Sequence, residues 1–132
     1  MYNIVLASHG NFAQEMLRSA EMIMGELDGI SVFGLHPGDS VDELREKMLD
    51  TAKELHETAD LLFLCDIVGG SPFNISSILT QMFPGSALIY GASLPILIEA
   101  YSQRESMTAH EFVAYITENT SNYLGTFKGE QQ

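Results

Sequence analysis

The sequence predicts an α/β protein: a mainly parallel four-stranded sheet, ordered 2-1-3-4, in a three-layer sandwich between helices. Three observations predict it. Short apolar runs alternate with stretches of helical periodicity along the 132 residues, the pattern of repeated βα units with right-handed crossovers. The third run is apolar at every position rather than at every second one, as a strand buried on both faces should be. Turn residues and helix-start signals follow the runs. The 2-1-3-4 order is common for a doubly wound sheet of this size and puts the topological switch between the first and third strands.

Residues 2–7 are a short run centred on Ile4, Val5 and Leu6 and form the first strand. From Phe12 the period lengthens. Phe12, Ala13, Met16, Leu17, Ala20, Ile23 and Met24 mark one helical face, closed by Gly25. Residues 30–35 are the second strand. His36-Pro37-Gly38-Asp39 turns the chain, and Ser40 with Glu43 makes a capping box. The helix that follows turns Val41, Leu44, Met48, Ala52, Leu55 and Ala59 inward. Residues 61–65, all apolar, are the third strand. Ser71 is expected to cap the next helix with Pro72 at its first position, and Ile75, Ile78, Leu79 and Met82 to face the core. Pro84-Gly85 breaks that helix.

Residues 87–90 are the fourth strand. Residues 94–101 form a short helix that is apolar nearly all round, with Glu99 as its only charge. Such a helix needs cover on more than one side, so a second chain is expected against it. Thr108 and Glu111 box the start of a last helix carrying Phe112, Ile116 and Leu124. A short C-terminal edge strand is expected at 125–128, able to pair with a neighbour's sheet edge, and a frayed end at 129–132. The chain, 1–132, reads as a single domain with its core at 2–124 and a C-terminal strand and tail at 125–132.

Composition removes several function classes. Six Lys and Arg against 18 Asp and Glu give a net charge of -12, the opposite of the basic footprint that nucleic acid requires. The same balance disfavours anionic membrane surfaces. The longest apolar stretch, residues 87–98, is interrupted by Gly91, Ser93 and Pro95 and falls short of the ~20 residues that span a bilayer. One cysteine leaves no internal disulfide and suits a reducing cytoplasm.

Chemistry concentrates at two strand exits. Ser8-His9-Gly10 follows the first strand, and Asp66-Ile67-Val68-Gly69-Gly70-Ser71-Pro72-Phe73-Asn74 follows the third. In an open α/β sheet, ligands bind outside the carboxyl ends of the strands at the switch point. His9 can serve there as ligand, general base or nucleophile. A carboxylate on one imidazole nitrogen fixes the tautomer and stabilises the imidazolium as charge develops, and Asp66 is placed to do this; its plainer role is a loop cap. Gly69, Gly70 and Ser71 turn backbone amides toward an anion in front of a helix N-terminus. A phosphoryl group on the His9 imidazole fits this set, held by backbone dipoles and Ser71, because neither segment carries lysine or arginine.

Other chemistries fit less well. Cys65 lacks the downstream arginine of a cysteine phosphatase loop and reads as a small core residue. No Walker motif occurs, and the acidic cluster and lysine of a receiver domain are missing. His9, His36 and Asp66 offer zinc-ligand types, but no spacing demands a metal, and no cofactor is expected. His56 and His110 read as solvated.

These segments, with Ala20-Glu21-Met22 before Gly25, Pro37-Gly38, Leu62-Phe63-Leu64-Cys65-Asp66, and Gly91 leading to Leu94-Pro95, together resemble the mannose-type enzyme IIA components of the bacterial phosphoenolpyruvate-dependent sugar phosphotransferase system (PTS). The similarity runs from Ile4 to about residue 124. It implies that His9 accepts a phosphoryl group from phospho-HPr and passes it to a IIB component for sugar uptake. It also implies that Asp66 orients His9, and that Ser71 and the loop amides cradle the phosphoryl group. A cytoplasmic homodimer exchanging its C-terminal strand is implied as well. Val68 stands where some relatives carry tryptophan, and the absence of a linker and IIB domain implies a free-standing subunit. The phosphoryl-transfer subunit of dihydroxyacetone kinase systems shares the fold and the histidine. A regulatory module that binds a small anion without a covalent step is the reading from a different class.

Overall fold

The computed structural model describes residues 1–129. Four parallel strands, β1 (Tyr2–His9), β2 (Ile30–Leu35), β3 (Asp60–Cys65) and β4 (Ala87–Ile89), lie in the order β2-β1-β3-β4. The helices between and after them are α1 (Phe12–Met24), α2 (Val41–His56), α3 (Ser71–Met82), α4 (Leu94–Gln103) and α5 (Ala109–Glu118), followed by a 3-10 turn, Thr120–Asn122. The expected order and three-layer architecture are both present.

Side-chain alternation along the two central strands builds two cores. Tyr2, Ile4 and Leu6 of β1, with Leu62 and Leu64 of β3, pack against α1, α4 and α5. Val5 and Ala7, with Leu61, Phe63 and Cys65, pack against α2 and α3. Tyr2 anchors the first core: its ring lies 5.8 Å from that of Phe112, and its hydroxyl donates to the Ala100 carbonyl at 2.6 Å. Burial pushes that phenol well above its ordinary value, with the Glu99 charge adding to the rise. No helix is long and apolar enough to cross a membrane among the described residues.

Several expectations need correction. Residues 125–128 form no strand, and Phe127 is exposed. A strand needs a partner backbone, and among the described residues no strand pairs with residues 125–128. Phe12, Ile23, Met24, Val41, Ile78, Met82 and Leu124 stand exposed instead of facing the core. Helical period identifies a face but not how far the sheet beneath extends to cover it, and Leu124, expected on the last helix, lies beyond the end of α5. Of the two expected capping boxes, one forms in full and the other by its forward bond alone. Ser40 Oγ accepts the Glu43 N–H, and Thr108 with Glu111 makes a full reciprocal box. Ser71, by contrast, is the first helical residue of α3, and Gly70 is its cap. His56 and His110 are tied rather than merely solvated: their Nε2 atoms lie 2.9 Å from the carbonyls of Pro84 and Ser86.

Candidate active site

β1 runs two residues further than its apolar stretch suggests, so His9 is its last residue, paired with Leu35 of β2. On the other side Ala7 pairs with Cys65, which brings Asp66 beside the end of β1. His9 Nδ1 and Asp66 Oδ2 are 2.9 Å apart, and the His9 backbone N–H donates to the same oxygen at 2.9 Å. The Ile67 N–H donates to Oδ1, also at 2.9 Å. Partial burial favours the neutral acid, but these bonds and the histidine's charge outweigh it and hold the Asp66 carboxyl below its ordinary value. A carboxylate can only accept, so the ring donates from Nδ1. In the neutral form of the ring Nε2 then carries the lone pair, and the imidazole side chain is 47% exposed against 15% for Asp66.

The Cε1–Nε2 edge of His9 rests on the loop before α3. A Cβ placed on Gly70 would lie 2.6 Å from Cε1 and 3.2 Å from Nε2, so only glycine lets the loop approach this closely. Gly69 has φ +86°, a left-handed conformation that suits glycine. Ser71 begins α3, where first-turn amides lack partners inside the helix. His9, Asp66, Gly69, Gly70 and Ser71 are thus gathered at one sheet edge. Cys65 lies beneath them, its thiol donating to Ser76 Oγ at 3.3 Å. Burial pushes the thiol up to about 11, against the pull of Ser76 and with Asp66's charge adding to the rise. It is no nucleophile at neutral pH.

His36 does not join His9 and Asp66 as a metal ligand would; its ring pairs with Asn11 and Asp39. Among the described residues no three His, Cys, Asp or Glu side chains converge on a metal position.

Sequence reasoning missed three supports. Ser8 is buried and its Oγ accepts the Ala13 N–H at 2.8 Å, while its hydroxyl donates to the His9 carbonyl at 3.1 Å. It therefore caps α1 and steadies the histidine backbone, from a position outside the usual capping spacing. Gly34 is required because a Cβ there would run into the Gly10 carbonyl oxygen; the close pass between neighbouring loops leaves no local signal. Phe12, Ile67, Val68 and Tyr90 leave exposed apolar surface around these strand ends. Tyr90 is steadied by an edge-on contact with Phe73 at 5.8 Å.

Comparison with known proteins gives a consistent picture. The family described as PTS system fructose IIA component matches residues 3–117. The chain is 34% identical over 102 residues to the mannose-specific EIIAB component of Escherichia coli K12, covering 77% of this chain and 32% of that protein. It thus spans about a third of that relative's length. It is 29% identical over 113 residues to the fructose-specific EIIA component of Bacillus subtilis, covering 86% of this chain and 77% of that one. Among solved structures, the PTS IIA protein associated with the fucose utilization operon of Streptococcus pneumoniae matches with a TM-score of 0.82 and 32% identity, covering 99% of this chain and 96% of that one. The mannose/sorbose-specific IIA subunit of Enterococcus faecalis matches at 0.84 and 27%, with 96% and 95% covered. From the switch-point fold to the family profile spanning nearly all of its length, the chain belongs to the mannose/fructose/sorbose family of PTS EIIA components.

Proposed function

We propose that this chain is a cytoplasmic phosphohistidine carrier of a sugar phosphotransferase system, taking a phosphoryl group from phospho-HPr onto His9 Nε2 and passing it to a IIB component. One observation carries the reading: His9 Nδ1 is engaged by the ionised Asp66 while Nε2 is left free over the Gly70 loop. The Nε2 lone pair forms the new P–N bond, and the donor's P–N bond breaks with its electron pair returning to the donor nitrogen. His9 keeps its Nδ1 proton, so the phosphorylated ring is a cation facing the Asp66 carboxylate. The donor ring leaves neutral, and no net proton moves. Gly69, Gly70 and Ser71 offer amide and hydroxyl donors to the phosphoryl oxygens, and reversal toward IIB uses the same contacts.

The reading extends to a homodimer. β4, the three-residue edge strand, borders a groove lined by Leu88, Tyr90, Ile96, Val113 and Ile116. Leu124 and Phe127 project unpaired from the tail. A partner's tail laid along that edge would cover both.

Incubation with enzyme I, HPr and phosphoenolpyruvate tests the carrier reading. The expected result is one acid-labile phosphate per chain, mapped to His9. A chain that stays unlabelled, or holds phosphate only non-covalently, overturns it in favour of an anion-binding regulatory module.

A further inference from the structure

A second imidazole stands beside the first. His36 follows Leu35, the residue paired with His9 across β1 and β2. The two histidines share one open cleft with Gly10, Leu35 and Pro37. The His36 ring is held from both ends. Nε2 lies 2.8 Å from Asn11 Oδ1, and Nδ1 lies 3.4 Å from Asp39 Oδ2. That Asp39 oxygen also accepts the His36 backbone N–H at 2.8 Å, which fixes the carboxylate in place. Both neighbours of the ring are acceptor oxygens. A neutral imidazole has one N–H to offer and an imidazolium has two, so only the imidazolium can donate to both oxygens at once.

Charge around the cleft gives this consequence. Residues 8–12, 34–40 and 66–74 contain no lysine or arginine. A phosphoryl dianion on His9, at the rim of this cleft, meets the His9 ring with Asp66 behind it and the amides of the 69–71 loop, which lies outside the cleft's own lining. His36 is the one side chain in these segments, apart from His9 itself, able to bring positive charge. The titratable groups around it are Asp39 on its own loop and, across the cleft, His9 with Asp66 behind it; on the far side Glu43 and Lys47 of α2 line a neighbouring hollow with Asp39 and Gly34, and Asn11 is neutral.

We propose that protonated His36 is the cation of this site, favouring the phosphoryl group on His9 and making phosphoryl uptake dependent on its protonation. The inference rests on the carrier reading above. The sign follows directly. His36 is charged on the acid side of its titration, so its contribution is present there and is lost as pH rises.

The test compares the parent chain with His36→Gln and His36→Arg, measuring the rate of phosphoryl uptake from phospho-HPr by rapid quench. Rates are taken at about pH 6 and about pH 8.5, which bracket the ordinary range of histidine titration. Ratios to the glutamine variant cancel the titration of His9 and of the donor, which all three share. The parent is expected to exceed His36→Gln by about five- to twentyfold at the lower pH, the scale of one nearby charge in a half-solvated cleft. That ratio should fall to within about twofold at the higher pH, where histidine is neutral. His36→Arg, charged at both, should keep its advantage throughout. A purely structural clasp between the two loops predicts a ratio that does not change with pH and no rescue by arginine; that result overturns the proposal while leaving His9 labelling intact. A parent that takes no label at either pH instead sinks the carrier reading, and this inference with it.

Discussion

Asp66 Oδ2 accepts two hydrogen bonds from one residue, the backbone N–H and the ring Nδ1 of His9, each at 2.9 Å. Main chain and side chain of the histidine are thus locked to one oxygen, and the ring has little freedom to turn Nε2 away from the cleft. An amide in place of the carboxylate can leave the wrong tautomer and cannot stabilise the phosphorylated imidazolium. Asp66→Asn is expected to keep the fold and slow phosphoryl transfer by about 10²–10⁴-fold, the scale of orientation and acid–base effects. Rapid-quench transfer from phospho-HPr measures it. A rate within a factor of two of the parent would reduce Asp66 to a loop cap.

The same bonds give a pH signature. Asp66 is held below its ordinary value of 3.8 because bonds from His9 and Ile67 outweigh the effect of its partial burial. A depressed carboxyl contributes stability in full above its unfolded-state value, and loses it as pH falls through the folded one. The stability gap between parent and Asp66→Asn should therefore be level down to about pH 5 and shrink below it. Urea unfolding at a series of pH values tests this; a gap that widens on acidification contradicts the assignment.

Gly70→Ala separates packing at the site from stability. The φ of −83° at Gly70 is one that alanine adopts freely, so the backbone carries no strain. The added methyl would meet His9 Cε1 at 2.6 Å and must push the ring off Asp66. The expected variant melts near the parent temperature yet transfers phosphate at least about tenfold more slowly, since misplacement on the order of 1 Å costs that much or more. Parent-like transfer would show that the ring relocates without consequence.

The exposed tail predicts assembly. Sedimentation equilibrium at micromolar concentration should give a mass near twice the 14.5 kDa of one chain, and truncation after Gly125 should lower it toward the monomer. A full-length chain that stays monomeric refutes the dimer. A truncated chain that stays dimeric places the interface elsewhere.

Much of this molecule is legible in its residue order. The apolar run Leu61 to Cys65 and the helical spacing from Ala13 to Ala20 are local patterns, and local patterns fix strands and helices because side-chain period follows backbone geometry. The placement of His9 and Asp66 at neighbouring strand ends was legible for a related reason. A parallel sheet with right-handed crossovers sends the exits of all its strands to one edge.

What the sequence by itself determined is therefore the α/β alternation, the strand order that this alternation favours, and the pair of loops that meet at the switch point. Tertiary structure alone decided the rest. It set Ser8 as the cap of α1, Gly70 as the floor under His9, and Asn11 and Asp39 as the partners of His36. It also decided that Phe12 and Ile78 stand exposed although their spacing assigns them to buried faces. These outcomes depend on which strand lies alongside, in what register, and how far the sheet reaches beneath a helix. They are contacts between residues distant in the chain, and no local period of side chains encodes them.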